Sequence, residues 1–121
     1  MRVLVVDDDA SVRETLSELL RAGGHVVTTA ADFGEAEALL ATPDWDVMLA
    51  DQMLPGGSGL DLVTLAQAHG VHAVICSGHP QYIEDLAKHG IAHLIKPFSA
   101  AALEAALSTA LADGDDLITE T

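Results

Sequence analysis

The stretch Asp46-Val-Met-Leu-Ala-Asp51-Gln-Met-Leu-Pro55-Gly-Gly-Ser-Gly59 decides the fold. Four apolar residues, Val47, Met48, Leu49 and Ala50, run without alternation into a single carboxylate, Asp51, and a Pro/Gly-rich loop follows at once. A strand with one wet face would alternate apolar and polar residues. The unbroken run bounded by turn signals therefore predicts a strand buried on both faces of a parallel sheet. Asp51 then stands at the strand's carboxyl end, where open α/β sheets place their ligands. This position singles out Asp51 as the reactive residue.

Outward from that strand, strand and helix signals alternate along the chain. Val3 to Val6 predicts a first strand, ending in Asp7-Asp8-Asp9. A helix follows from Ala10 to Ala22, with Val12, Leu16, Leu19 and Leu20 on one face. Ser11-x-x-Glu14 matches a capping box there, with Asp8 or Asp9 as rival caps, and Gly23-Gly24 stops the helix. A short strand from His25 to Thr29 precedes a helix capped by Asp32 that buries Phe33, Ala36 and Leu40. After the central strand, Ser58-x-x-Asp61 opens a helix with Leu62, Leu65 and Ala66 inside, and Gly70 ends it.

A fourth strand runs from His72 to Cys76, and Pro80 opens a helix carrying Ile83, Leu86 and Ala87. A fifth strand, Ala92 to Ile95, leads to Lys96-Pro97 and a last helix capped by Ser99. Its inward stripe is Leu103, Ala106, Leu107, Ala110 and Leu111. Five strand-then-helix repeats with short connections predict an α/β, doubly wound, five-stranded parallel sheet with helices on both faces. Residues 1–112 are read as one domain, and 113–121 as an acidic flexible tail or the start of a linker.

Composition narrows the function. Hydrophobic residues make up 50% of the chain but aromatics only 3%, so the core must be Leu, Val, Ile and Ala. Five Lys and Arg stand against nineteen Asp and Glu, a net charge of −14. Binding to a phosphate backbone needs basic patches that this chain lacks, which argues against nucleic acid and anionic membranes as direct partners. One cysteine, Cys76, allows no internal disulfide and suits a reducing compartment. No apolar run approaches the roughly 20 residues that span a bilayer, and the N-terminus reads as a strand rather than a signal sequence. The expectation is a cytoplasmic location.

Right-handed crossovers bring every strand's carboxyl end to one edge of a parallel sheet. That edge gathers Asp7 and Asp8 after the first strand, Asp51 ending the third, Ser77 after the fourth and Lys96 after the fifth. Singly, each reads better as a cap, a turn residue or a surface charge. Their coincidence at corresponding strand ends points to one site. Clustered carboxylates repel one another and favour a bound cation, and a few hard oxygen donors suit Mg2+. Asp51 could then attack phosphorus, with Ser77 donating a hydrogen bond and Lys96 a positive charge to the phosphoryl group.

These residues carry a resemblance. Val5-Val6-Asp7-Asp8, Asp51 followed by Leu54-Pro55 and Gly59, Ser77-Gly78 and Lys96-Pro97-Phe98 together resemble the receiver (REC) domain of two-component response regulators, over nearly the whole chain. The resemblance implies the flavodoxin-like (βα)5 fold, with Asp51 as phosphoacceptor. It implies Mg2+ (or Mn2+) held by Asp7, Asp8, Asp51 and the backbone carbonyl of Met53, and a cis peptide between Lys96 and Pro97. The implied partners are a histidine kinase or histidine phosphotransfer protein, docking near Val12 and Leu16, and a downstream protein meeting the fourth-helix, fifth-strand and fifth-helix face. His93 occupies the switch position, where the family usually has Tyr or Phe. His79, two after Ser77, falls at the pocket rim, as does Met53, two after Asp51. The alternative is a haloacid-dehalogenase-like phosphatase with Asp7 as nucleophile and Asp9 as acid/base, which would leave Asp51 without a task.

Overall fold

The computed structural model describes residues 1–42, 44–78, 88, 90–96 and 99–120, with side chains through Leu111. Five strands, β1 (Arg2–Val6), β2 (Val26–Ala30), β3 (Val47–Asp51), β4 (His72–Ser77) and β5 (Ala92–Ile95), form one sheet in the order β2-β1-β3-β4-β5, every pairing parallel. The described elements also include helices α1 (Ala10–Ala22), α2 (Phe33–Leu40) and α3 (Gly59–Ala68), a C-terminal helix (Ala100–Glu120), and a short two-stranded antiparallel ladder of Met53–Leu54 with Gly57–Ser58 after β3. The helix expected after Pro80 lies outside the described residues.

The apolar runs of β1 and β3 are continuous because alternate residues enter two different cores. Leu4, Val6, Met48 and Ala50 pack with Ala36, Leu40, Leu62 and Ala66 from α2 and α3. Val3, Val5, Val47 and Leu49 pack with Leu16 and Leu20 of α1 and with Leu103 and Leu107 of the C-terminal helix. All eight of these strand residues are at most 1% exposed. Each buried aliphatic side chain contributes about 1.5–3 kcal/mol relative to exposure. The two cores fix the sheet between two helical layers, as the alternation predicts.

Local signals set the element ends. Asp9, not Ser11, caps α1: its carboxylate accepts from the Ser11 amide at 2.8 Å. Asp9 directly precedes the first helical residue, so its oxygen reaches the orphan amide while Ser11 is already inside the helix. Asp32 caps α2 through the Glu35 amide (2.8 Å), Ser58 caps α3 through the Asp61 amide (3.2 Å), and Ser99 accepts from the Ala102 amide (3.1 Å). β2 begins one residue later than expected because the His25 amide still belongs to the end of α1, donating to the Leu20 carbonyl at 3.0 Å. The C-terminal helix runs to Glu120, so secondary structure alone does not mark a boundary at residue 112.

Candidate functional site

The carboxyl ends of β1, β3, β4 and β5 meet at one sheet edge. Asp7 follows β1, Asp51 and Ser77 are the last residues of β3 and β4, and Lys96 follows β5. Parallel register carries Asp51 opposite Cys76 and Ser77 opposite Ile95. The Lys96 amide then donates to the Ser77 carbonyl at 2.8 Å, extending the ladder past β5. On the other side, the Gln52 amide donates to the Cys76 carbonyl at 3.2 Å. These main-chain bonds hold the clustered side chains at rigid strand ends rather than on free loops.

Asp7, Asp8 and Asp51 each offer a carboxylate oxygen, all within 4.8 Å of one another. Asp7 is 2% exposed, whereas Asp8 faces solvent. Lys96 Nζ donates to Asp7 Oδ2 at 2.8 Å and lies 3.5 Å from Asp51 Oδ1. Asp7 Oδ1 accepts from the Asp9 amide at 3.0 Å, and Asp51 Oδ1 from the Gln52 amide at 2.9 Å. Burial, reinforced by Asp7, pushes the Asp51 carboxyl above its ordinary pKa, although Lys96 and the Gln52 amide pull the other way. Burial alone would lower the Lys96 pKa; the hydrogen bond to Asp7 and the charge of Asp51 outweigh it, so Lys96 is held charged.

Three carboxylates and one ammonium leave two uncompensated negative charges, which a divalent cation would offset. The donors are hard oxygens and few, which suits Mg2+ with retained waters better than a softer metal. The exposed Asp8 leaves that oxygen set open to solvent. The donor chemistry therefore fits the expected ion.

Several expectations acquire definite surroundings. Ser77 is fully buried. Met53, on the loop after Asp51, is 63% exposed. His93 is half-buried on β5, and its Nδ1 donates to the carbonyl of Ile91 at 3.1 Å, so the ring is tied to the backbone just before its strand. Cys76 is a core residue whose thiol is pushed up to about 12, chiefly by burial. His79, Pro97 and Phe98 lie outside the described residues, and with them the Lys96–Pro97 peptide. Asp9 spends its carboxylate on the cap of α1, a poor situation for an acid/base. Sequence reasoning missed Arg13, whose guanidinium donates to the Asp7 carbonyl at 2.8 Å and ties α1 to the acidic turn. Its place six residues after Asp7, one helical turn past the cap, was the available signal.

Comparison with known proteins decides between the two readings. The family model for the response regulator receiver domain matches residues 3–108. The chain belongs to the response regulator receiver family. It is 37% identical over 117 residues to the transcriptional regulatory protein FixJ of Azorhizobium caulinodans, covering 90% of this chain and 54% of that protein. It is 34% identical over 116 residues to the two-component response regulator PhoP of Pseudomonas aeruginosa, covering 92% and 52% respectively. The chain thus spans about half the length of these relatives.

Among solved receiver structures, one from Clostridium thermocellum superposes with a TM-score of 0.82 at 25% identity, covering 96% of this chain and 98% of that one. The response regulator TrrA of Thermotoga maritima, solved with Mg2+ and BeF, gives a TM-score of 0.80 at 26% identity, covering 90% and 97%. The receiver family's flavodoxin-like sheet is the one described above, and the phosphatase alternative is disfavoured.

The pKa of Asp51 gives a testable sign. A folded pKa above the unfolded one means that the ionised carboxylate costs stability; the cost is absent below the unfolded pKa and develops as pH rises through the folded one. In Mg2+-free buffer at pH 7, Asp51→Asn is therefore expected to be more stable than wild type. The difference should shrink as the pH falls toward 4, read from urea midpoints of both proteins. A variant less stable than wild type at pH 7 would contradict the assignment.

Proposed function

We propose that Asp51 accepts a phosphoryl group from a phosphohistidine on a histidine kinase or histidine phosphotransfer protein. The observation that carries this reading is the Lys96 ammonium poised 2.8 Å from Asp7 and 3.5 Å from Asp51 beside a three-carboxylate cluster. Phosphoryl transfer needs mainly positioning and charge neutralisation, and these residues are placed for both. Asp7, Asp8, Asp51 and the Met53 carbonyl would hold Mg2+ or Mn2+. When bound, the ion supplies positive charge against the phosphoryl oxygens.

An oxygen of Asp51 forms the new bond to phosphorus as the bond from phosphorus to the donor imidazole nitrogen breaks. The electron pair of that bond stays with the imidazole. Lys96 neutralises charge on the transferred group, and Ser77 donates its hydroxyl to a phosphoryl oxygen. Hydrolysis is a second substitution at phosphorus: a water oxygen bonds to phosphorus as the bond from phosphorus to the Asp51 oxygen breaks, the electron pair stays with the Asp51 carboxylate, and inorganic phosphate leaves with the water's proton released to solvent; the exposed Met53 beside Asp51 tunes water access. The chain therefore promotes its own phosphorylation and dephosphorylation.

The phosphodonor docks along α1 near the half-buried Val12, whereas Leu16, expected beside it, is 3% exposed and belongs to the core; the downstream protein partner meets the face that includes β5. His93, already bonded to Ile91, is the switch position on that strand. Residues 1–112 act as the receiver unit in the cytoplasm, and 113–121 lead away from it. Direct contact with nucleic acid or membrane falls outside this unit's role, in keeping with the whole chain's net charge of −14.

Cation binding tests the reading without any phosphodonor. A ligand that binds only the folded state stabilises it by about 2.7 kcal/mol at a hundred times its dissociation constant. Mg2+ is therefore expected to raise the thermal midpoint of wild type in a concentration-dependent way, and Asp8→Asn is expected to lose most of that rise. Equal responses in the two proteins would remove Asp8 from the site.

A further inference from the structure

The loop after Asp51 is not held by its own short ladder alone. Met53–Leu54 pairs antiparallel with Gly57–Ser58 around a turn at Pro55-Gly56, and the Gly59 amide closes the base on the Gln52 carbonyl at 2.9 Å. The tip of this turn is attached to a different element. The amide of Phe33, the first residue of α2, donates to the Pro55 carbonyl at 3.1 Å. The Phe33 ring packs against Gly57, so a Cβ at Gly57 would come within 2.5 Å of ring Cδ2 and 2.9 Å of Cγ.

The end of α2 that carries Phe33 is itself fixed. Asp32 accepts from the Glu35 amide at 2.8 Å, and the Glu35 carboxylate accepts from the Ala31 amide at 2.7 Å. Ala36 and Leu40 anchor the helix in the core at 0% and 1% exposure. One bond and one ring therefore join a rigid helix start to the loop that carries Met53.

We infer that Phe33 is a positioning residue for the divalent cation: by clamping the Pro55–Gly57 turn onto α2, it sets where the Met53 carbonyl stands relative to Asp51. A backbone ligand moves only with its chain, so whatever holds the chain tunes the ion's affinity. The inference rests on the reading of Asp51 and Met53 given above.

The test is a Mg2+ titration followed by the amide NMR shifts of Gly56 and Gly57, with urea stability measured in parallel. Phe33→Ala is expected to weaken Mg2+ binding about tenfold, and Phe33→Leu, which restores apolar bulk, to recover most of it. Gly57→Ala drives a methyl into the ring and should weaken binding in the parent. In the Phe33→Ala background it should add little, because the ring it strikes is gone. Gly57→Ala also keeps the test alive should Phe33→Ala fail to fold. Leu40→Ala removes core mass from the same helix without touching the loop and serves as the stability control.

Parental affinity in Phe33→Ala, additive effects in the double variant, or an equal loss in Leu40→Ala would each overturn the positioning role while leaving the cation site intact. A wild-type protein that takes up no Mg2+ would overturn the cation reading itself, and the positioning role with it.

Discussion

Gly59→Ala is expected to lower folding stability by about 3 kcal/mol, at the upper end of overpacking costs. Gly59 opens α3 directly behind the candidate site and is buried. A Cβ there would run into the Asp51 carbonyl oxygen and come within 3.0 Å of Ile75 Cδ1. A flexible side chain could yield, but a backbone carbonyl in the central parallel ladder cannot move without disturbing β3. The relief would therefore come from shifting α3 or from displacing Asp51, and the same change should weaken Mg2+ binding. Gly34→Ala provides the contrast. That glycine lies inside α2 with only Asp32 Oδ1 near its would-be Cβ, at 3.5 Å, so alanine there should stabilise by up to about 1 kcal/mol. Urea midpoints of the two variants should move in opposite directions; a Gly59→Ala protein as stable as its parent would mean that the contact between β3 and α3 is loose.

Lys96→Met is expected to act on both stability and chemistry. Without Mg2+ it leaves Asp7, at 2% exposure, bereft of its cationic partner, and stranding a buried charge is expensive. Lys96 itself is 24% exposed, which places the loss at about 2 kcal/mol, below the 3–5 typical of fully buried pairs. A divalent cation replaces the missing charge, so Mg2+ should stabilise Lys96→Met more than wild type. The rate of phosphorylation by a small phosphodonor should fall on the order of 10²-fold, the usual effect of removing one charged or hydrogen-bonding group aimed at developing charge. Parallel thermal melts with and without Mg2+, and the initial rate of phosphorylation, check both halves. An unchanged rate would take Lys96 out of the chemistry.

What could be read in advance, and what could not, follows from the range of each interaction. The strands were legible because Val3 to Val6 and Val47 to Ala50 are buried from both sides, which leaves no polar position to confuse the pattern. The meeting of Asp7, Asp51, Ser77 and Lys96 was legible because parallel topology sends every strand's carboxyl end to one edge, whatever the intervening sequence. Interactions that depend on side-chain reach were not. Ser11-x-x-Glu14 satisfies a capping pattern, yet Asp9 wins because it stands one step before the helix with its oxygen free. Nothing periodic marks Arg13 as the donor to the Asp7 carbonyl, or Phe33 as the neighbour of Gly57. The first depends on where one long side chain reaches within a single turn and its helix, and the second joins elements distant in sequence. His93 is similar: its identity was plain, but its bond to Ile91 depends on a ring orientation that no pattern encodes.

The central claim is that Asp51 is the phosphoacceptor. The most direct measurement incubates wild type, Asp51→Asn and Asp7→Asn with acetyl phosphate and Mg2+, reduces the acyl phosphate with borohydride, and locates the modified residue by mass spectrometry. The expected result is one modification at Asp51 in wild type and none in Asp51→Asn. Labelling that survives in Asp51→Asn and vanishes in Asp7→Asn would contradict it.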